Sequence, residues 1–281
     1  MEYKDLKNKA EIFLHQHYGG KILILPNIWN VLGAQLLEHL GYPSIATASA
    51  SIAFSNGYDD GEKIKFTRLL SILRDITKAV NIPVSADIEK GYSNSLGQLK
   101  KNIRLLIESG IVGINIEDSK GQRNELHSIE SQCNRIKTIR KEAEKLGIPL
   151  VINARTDVFL LEHSNRSNAL KEAITRGKAY KDAGADCFYP ILLSNLEDIS
   201  KLVQKLSMPL NLFLTKEIAD IKQLQQIGVA RISLGPSLLK VGLSCIKSVA
   251  EDLLSYDSKK LFGNNIIASE YIRELVRKEN E

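Results

Sequence analysis

The chain has 281 residues, 43% hydrophobic and 25% charged, an ordinary composition for a folded globular protein and a length that suits one large α/β barrel or two medium domains. Its net charge of +5 comes from Lys and Arg scattered along amphipathic segments rather than gathered in a patch, which argues against a nucleic-acid partner. No apolar run approaches the roughly 20 residues needed to span a bilayer, which argues against a membrane protein.

In chain order, the first expected element is a leading helix over about 4–17. Short apolar strands follow at 21–26, 43–49, 82–88, 112–117, 149–155, 186–191, 209–214 and 230–235. Helical patterns lie between them. One runs from Phe66 to Val80, and another from Leu99 to Ser109 puts Leu99, Ile103, Leu106 and Ile107 on one face. Gly41, Gly110, Gly147, Gly184 and Gly228 each close a helical run before a strand, where a left-handed residue is needed. Pro43, Pro83, Pro149 and Pro209 open strands and stop the helix behind them. A last helix is expected over about 266–279.

Eight βα units predict a (β/α)8 TIM barrel, with a doubly wound open sheet as the rival. No linker rich in Pro, Gly or Ser interrupts the chain. One domain is expected over 1–281: a leading helix in 1–20, the barrel in 21–255 and a C-terminal helical extension in 256–281. Cys133, Cys187 and Cys245 are far apart and form no CxxC, so neither a disulfide framework nor a zinc site is indicated. The charged start, Met1 to Asp5, lacks a secretory apolar core, and a cytoplasmic location is expected.

Several strands end in acids or amides, which is costly in a buried strand unless charge is useful there. In a parallel barrel these ends meet on one face. Asp87 and Glu89 close the third strand and, by alternation, project to one side; Glu117 closes the fourth. Such a cluster needs a cation or a proton to relieve its repulsion, and Mg²⁺ suits an all-oxygen set. The alternative is pairing with Lys or Arg, or capping of the following helices. Arg155, at the end of the fifth strand, can grip a carboxylate with two parallel hydrogen bonds, or can pair with Asp157. Thr47 to Ala53 is a run of small residues where backbone N–H groups can meet an anion, or where a turn simply packs tightly. Asp60 lies in a turn that also reads as a helix cap. His15 and His17 are read as surface residues of the leading helix. Lys216, after the seventh strand, has polar surroundings that do not favour a Schiff base.

In order and spacing, the segments 47–53, 57–62, 87–92, 113–119, 153–157 and 231–236 resemble the isocitrate lyase/phosphoenolpyruvate mutase superfamily. The resemblance implies a Mg²⁺-dependent barrel that handles a pyruvate-like 2-oxo acid or its enolate. It implies that Asp87, Glu89 and Glu117 hold the hydrated metal, Glu89 standing where an Asp is usual. It implies that Ser49 and Ala50 bind the substrate carboxylate through backbone N–H groups, that Asp60 contacts metal-bound water, and that Arg155 reaches the substrate. A homo-oligomer is also implied, a dimer or tetramer in which neighbours exchange the last helix.

The loop after the fourth strand departs from the family. It runs Ser119 to His127 and contains no cysteine, where the family's lyases for isocitrate-like substrates carry an acid/base Cys. Asn124 is placed only loosely against the asparagine of the phosphonate enzymes. Lys120 and His127, with Arg123 and Glu125, are the candidate proton donors on a closing loop. The expected activity is making or breaking a C–C bond next to a pyruvate unit through an enolate, as a lyase or 2-oxo acid decarboxylase. Phosphorus–carbon bond chemistry on a phosphonate, and a barrel that binds an oxo acid without turnover, are the alternatives.

Overall fold

Each apolar run folds as a short strand that is buried on both sides, and each is followed by a helix whose apolar face covers it. The structure is a computed structural model and describes residues 3–120, 125–161, 165–263 and 266–277. In chain order the elements are α1 (Tyr3–Gln16), β1 (Leu23–Leu25), β2 (Asn27–Ile28), α2 (Val31–His39), β3 (Ile45–Thr47), α3 (Ser49–Ser55), α4 (Phe66–Ala79) and β4 (Val84–Asp87). There follow α5 (Leu96–Glu108), β5 (Gly113–Glu117), α6 (Ile129–Lys145), β6 (Val151–Thr156), α7 (Arg166–Asp182), β7 (Cys187–Pro190) and α8 (Leu196–Leu206). The chain continues through β8 (Asn211–Phe213), α9 (Ile221–Ile227), β9 (Arg231–Ser233), α10 (Ser237–Leu254) and α11 (Ser269–Val276).

All pairings between these strands are parallel. The first expected strand is divided at Pro26, which has no N–H to give a ladder. Its first half, β1, pairs with β9, and its second half, β2, pairs with β3. One run of strands is ordered β2-β3-β4-β5-β6-β7 and the other β1-β9-β8. A bridge between Phe188 and Leu210 joins β7 to β8 and closes the ring. An open doubly wound sheet would leave two edges; closure through β1/β2 and through this bridge makes a (β/α)8 TIM barrel.

α1 covers the N-terminal end of the barrel. Phe13 enters so closely that a Cβ on Gly113 would lie 2.5 Å from its ring. His17 is buried, contrary to the surface placement expected for it, because it follows the last residue of α1 one turn beyond Phe13, on the same inward side. Its Nδ1 donates to the Phe13 carbonyl at 2.8 Å. Burial, with the Arg231 charge beside it, pushes its pKa down to about 3. Arg231 is enclosed within the barrel, with its guanidinium 6.0 Å from the Phe13 ring centre.

The C-terminal segment runs differently from the repeat. α10 buries only Leu239 among its residues, while α11 packs back on α2 of its own chain, with Tyr271 edge-on to His39. No helix among the described residues is long and apolar enough to cross a membrane.

Candidate active site

At the C-terminal mouth, β4 ends on Asp87. Its carboxylate accepts from the Ser49 hydroxyl at 2.9 Å, the Ser49 N–H at 3.3 Å and Asn115 Nδ2 at 2.9 Å. Asn115 in turn accepts from Asn153 Nδ2 at 3.0 Å, so a row of polar side chains crosses β4, β5 and β6 inside the barrel. Ser49 stands at the first turn of α3, a short helix that begins where the strand expected over 43–49 was to end. Ala50 follows it, partly exposed.

Glu89 reaches the same region by another route than alternation. The strand ends at Asp87, and Glu89 takes a left-handed φ of 49° in the loop beyond. Its carboxylate accepts from the Glu62 N–H at 2.7 Å and the Tyr92 hydroxyl at 3.2 Å. Burial raises its pKa to about 8, reinforced by the charges of Asp60 and Asp87. Asp60 is raised by burial and then by the charge of Asp87 nearby. Lys90 lies 3.7 Å from Glu62 rather than among these acids.

β5 and β6 put Glu117 and Arg155 side by side in register. Arg155 Nη1 lies 3.0 Å from Glu117, and its Nε and Nη2 grip Asp157 at 2.6 and 3.0 Å. The pairing with Asp157 is therefore made, and Glu117 is held by the same guanidinium. Burial works against the Arg155 charge, but Glu117 and Asp157 keep it firmly protonated. Burial also pushes Glu117 up, against the pull of Arg155. The Ser119 hydroxyl donates to Glu117 at 2.6 Å.

Sequence reading passed over two features. Asp118 alternates away from Glu117 into the helix layer and is fully buried. It accepts from Thr156 Oγ1 at 2.8 Å, the Asp157 N–H at 3.0 Å, Arg176 at 3.0 Å and the Tyr180 hydroxyl at 2.7 Å. Arg176 and Tyr180, four apart on α7, were the available signal. Tyr189, on β7, is in register with Arg155 and buried on the same inward side. Burial lifts its pKa to about 12.

The loop after β5 starts as a small hairpin. Ser119 bridges Leu126, and the Lys120 N–H donates to the Glu125 carbonyl at 2.9 Å. The Lys120 ammonium is exposed, 3.9 Å from Glu125. His127 turns toward α6, with Nδ1 3.2 Å from the Ser131 hydroxyl, and its pKa is lowered by burial and then by Arg135 and Lys120. Asn124 and Arg123 lie outside the described residues.

The mouth thus holds Asp60, Asp87, Glu89, Glu117 and Asp157, with Arg155 paired to Glu117 and Asp157. This excess of buried acid, with every donor an oxygen, fits a hard divalent cation. Among the described residues no three acid, His or Cys side chains stand together as a chelating group. Asp87, Glu89 and Glu117 are the residues that would hold such an ion.

The phosphoenolpyruvate phosphomutase family profile matches residues 13–254. An uncharacterized Mycobacterium tuberculosis protein is 29% identical over 229 residues, covering 81% of this chain and 83% of the relative. The 2-methylisocitrate lyase of Halalkalibacterium halodurans is 27% identical over 214 residues, covering 74% of this chain and 68% of that enzyme. Among solved structures, a Burkholderia cenocepacia protein superposes with a TM-score of 0.90 at 28% identity, covering 98% of both chains. The phosphoenolpyruvate phosphomutase of Streptomyces platensis superposes with a TM-score of 0.83 at 22% identity, covering 95% of this chain and 94% of its own, and shares the fold. The profile spans nearly the whole barrel, including every strand that supplies an acid to the mouth, and the chain belongs to the phosphoenolpyruvate phosphomutase family.

Proposed function

We propose that this chain is a Mg²⁺-dependent lyase that makes or breaks a C–C bond at C3 of a pyruvate unit through its enolate. The observation that supports it is the convergence of Asp60, Asp87, Glu89 and Glu117 with Arg155 and the Ser49 N–H at one end of the barrel. Asp87, with Glu89 and Glu117 through water, would hold the ion, which when bound supplies positive charge to a developing enolate oxygen. Ser49 and Ala50 orient the substrate carboxylate through their N–H groups. Arg155, fixed by Glu117 and Asp157 before substrate arrives, adds charge that needs no reorganisation during reaction. The loop from Ser119 to His127 closes over the substrate and excludes water, with Lys120 or His127 as proton donor and Asn124 as a substrate contact.

Calorimetric titration with oxalate, an enolate mimic, tests this. Binding is expected with Mg²⁺, is lost with EDTA, and weakens in Asp87→Ala and Arg155→Ala. Binding indifferent to both would overturn the reading. The family match favours phosphorus–carbon chemistry as the second reading, and release of phosphate from phosphonopyruvate separates it from the first. The reading includes a homo-oligomer, supported by the apolar face that α10 leaves exposed.

A further inference from the structure

The mouth of the barrel is divided in polarity. The tips of β3 to β6 carry Ser49, Asp87, Glu89, Glu117 and Arg155. The tips of β7 to β9 carry none of this charge: residues 190–193, 213–215 and 233–236 include no Lys or Arg and no acid.

The facing directions follow from contacts. Tyr189 stands in register with Arg155 across β6 and β7 and is buried, so its phenol shares the inward side. Asn211 donates to the Ser233 hydroxyl at 3.2 Å, so it also faces inward, and Phe213, two residues on, shares its side. Phe213 ends β8 and is partly exposed. Gly235, with φ 50°, lies against its ring, where a Cβ would stand 2.9 Å from the ring carbon. The wall opposite the acids is therefore an aromatic face, with Ser233 level with Phe213 and Tyr189 one layer below.

Among the described residues of the barrel wall, no cation answers for a carboxylate there. Arg231 is 2% exposed, two residues below Ser233 and sealed from the mouth. Arg155 is taken up by Glu117 and Asp157. Lys216 lies on an exposed turn beyond the strand end. A carboxylate pressed on Phe213 would lose water without gaining a partner, whereas hydrocarbon gains by burial.

We infer that the enzyme takes a 2-oxo acid unit whose group at C3 is hydrocarbon where it meets Phe213 and carries no second carboxylate there. This rests on the oxo-acid site proposed above.

Calorimetry in Mg²⁺ tests it, with oxalate as the reference ligand. Affinity is expected to rise about fourfold from pyruvate to 2-oxobutanoate, the value of one buried methylene. 2-Oxopentanoate is expected to bind at least tenfold tighter than 2-oxoglutarate. Phe213→Ala should lower 2-oxopentanoate affinity at least fivefold more than oxalate affinity, while Phe213→Leu, which keeps the wall apolar and the fold packed, preserves the preference. Lys216→Ala should leave the ratio of 2-oxopentanoate to 2-oxoglutarate unchanged. Oxalate binding with 2-oxoglutarate equal to or tighter than 2-oxopentanoate overturns this inference alone. A loss of 2-oxoglutarate affinity in Lys216→Ala overturns it too, by assigning a distal carboxylate to that lysine. Absence of oxalate binding overturns the oxo-acid reading, and the inference falls with it.

Discussion

His17 and Arg155 show how single side chains tie this barrel to pH and ligand. His17 is neutral in the fold, with a pKa of about 3 against 6.5 when exposed. Below pH 6.5 the unfolded chain takes up a proton that the native chain refuses, so stability falls as pH drops from about 6.5 toward 3. The loss from this group is about 2 kcal/mol at pH 5 relative to pH 7.5. Urea midpoints at the two pH values should show it, and His17→Gln should reduce the difference. Arg155 is the only guanidinium touching both Glu117 and Asp157 among the described residues. Arg155→Ala leaves two buried acids without it and is expected to cost about 3 kcal/mol in urea unfolding. Arg155→Lys should weaken oxalate binding at least tenfold, since an ammonium cannot keep the two-pronged grip on Asp157 and still face the substrate.

Two contacts between elements fix the ends of the barrel. At the N-terminal end α1 seats Phe13 on Gly113 of β5, with no room for a methyl group. Gly113→Ala should cost about 2 kcal/mol through overpacking, read as a lowered urea midpoint with unchanged slope. At the C-terminal end Asp118 and Arg176 lock α7 to the turns after β5 and β6, and Arg176 also donates to the His127 carbonyl. Arg176→Met strands the buried Asp118 carboxylate. It should speed amide exchange around residues 118–120, 125–127 and 157–160 before it affects the rest of the barrel.

For the whole molecule, α10 is the element without a full partner. Leu243, Ile246, Leu253 and Leu254 are 53%, 66%, 42% and 83% exposed and share one side of the helix, an apolar face unusual in water. A second copy of the chain is the occupant that the proposed oligomer supplies. Light scattering should show a dimer or tetramer, and Ile246→Glu should lower the mass toward the monomer. A monomeric wild-type chain would remove the oligomer from the proposal.

The sequence by itself determined the eight-fold alternation, because short apolar runs, helix-closing glycines and strand-opening prolines are local signals. It also placed Asp87, Glu117 and Arg155 at strand ends, since alternation holds as long as the strand does. It could not place Glu89, because the strand stops at Asp87 and a left-handed turn carries the next acid to Glu62 and Tyr92. Nor could it show His17 buried, since only the fit of α1 into the barrel end puts that face of the helix against Arg231. The Asp118–Arg176–Tyr180 cluster and the Tyr189–Phe213 wall join residues far apart in the chain. The first depends on α7 packing beside the ends of β5 and β6, the second on ring closure, which brings β7, β8 and β9 round to face β4, and only the tertiary structure decides them.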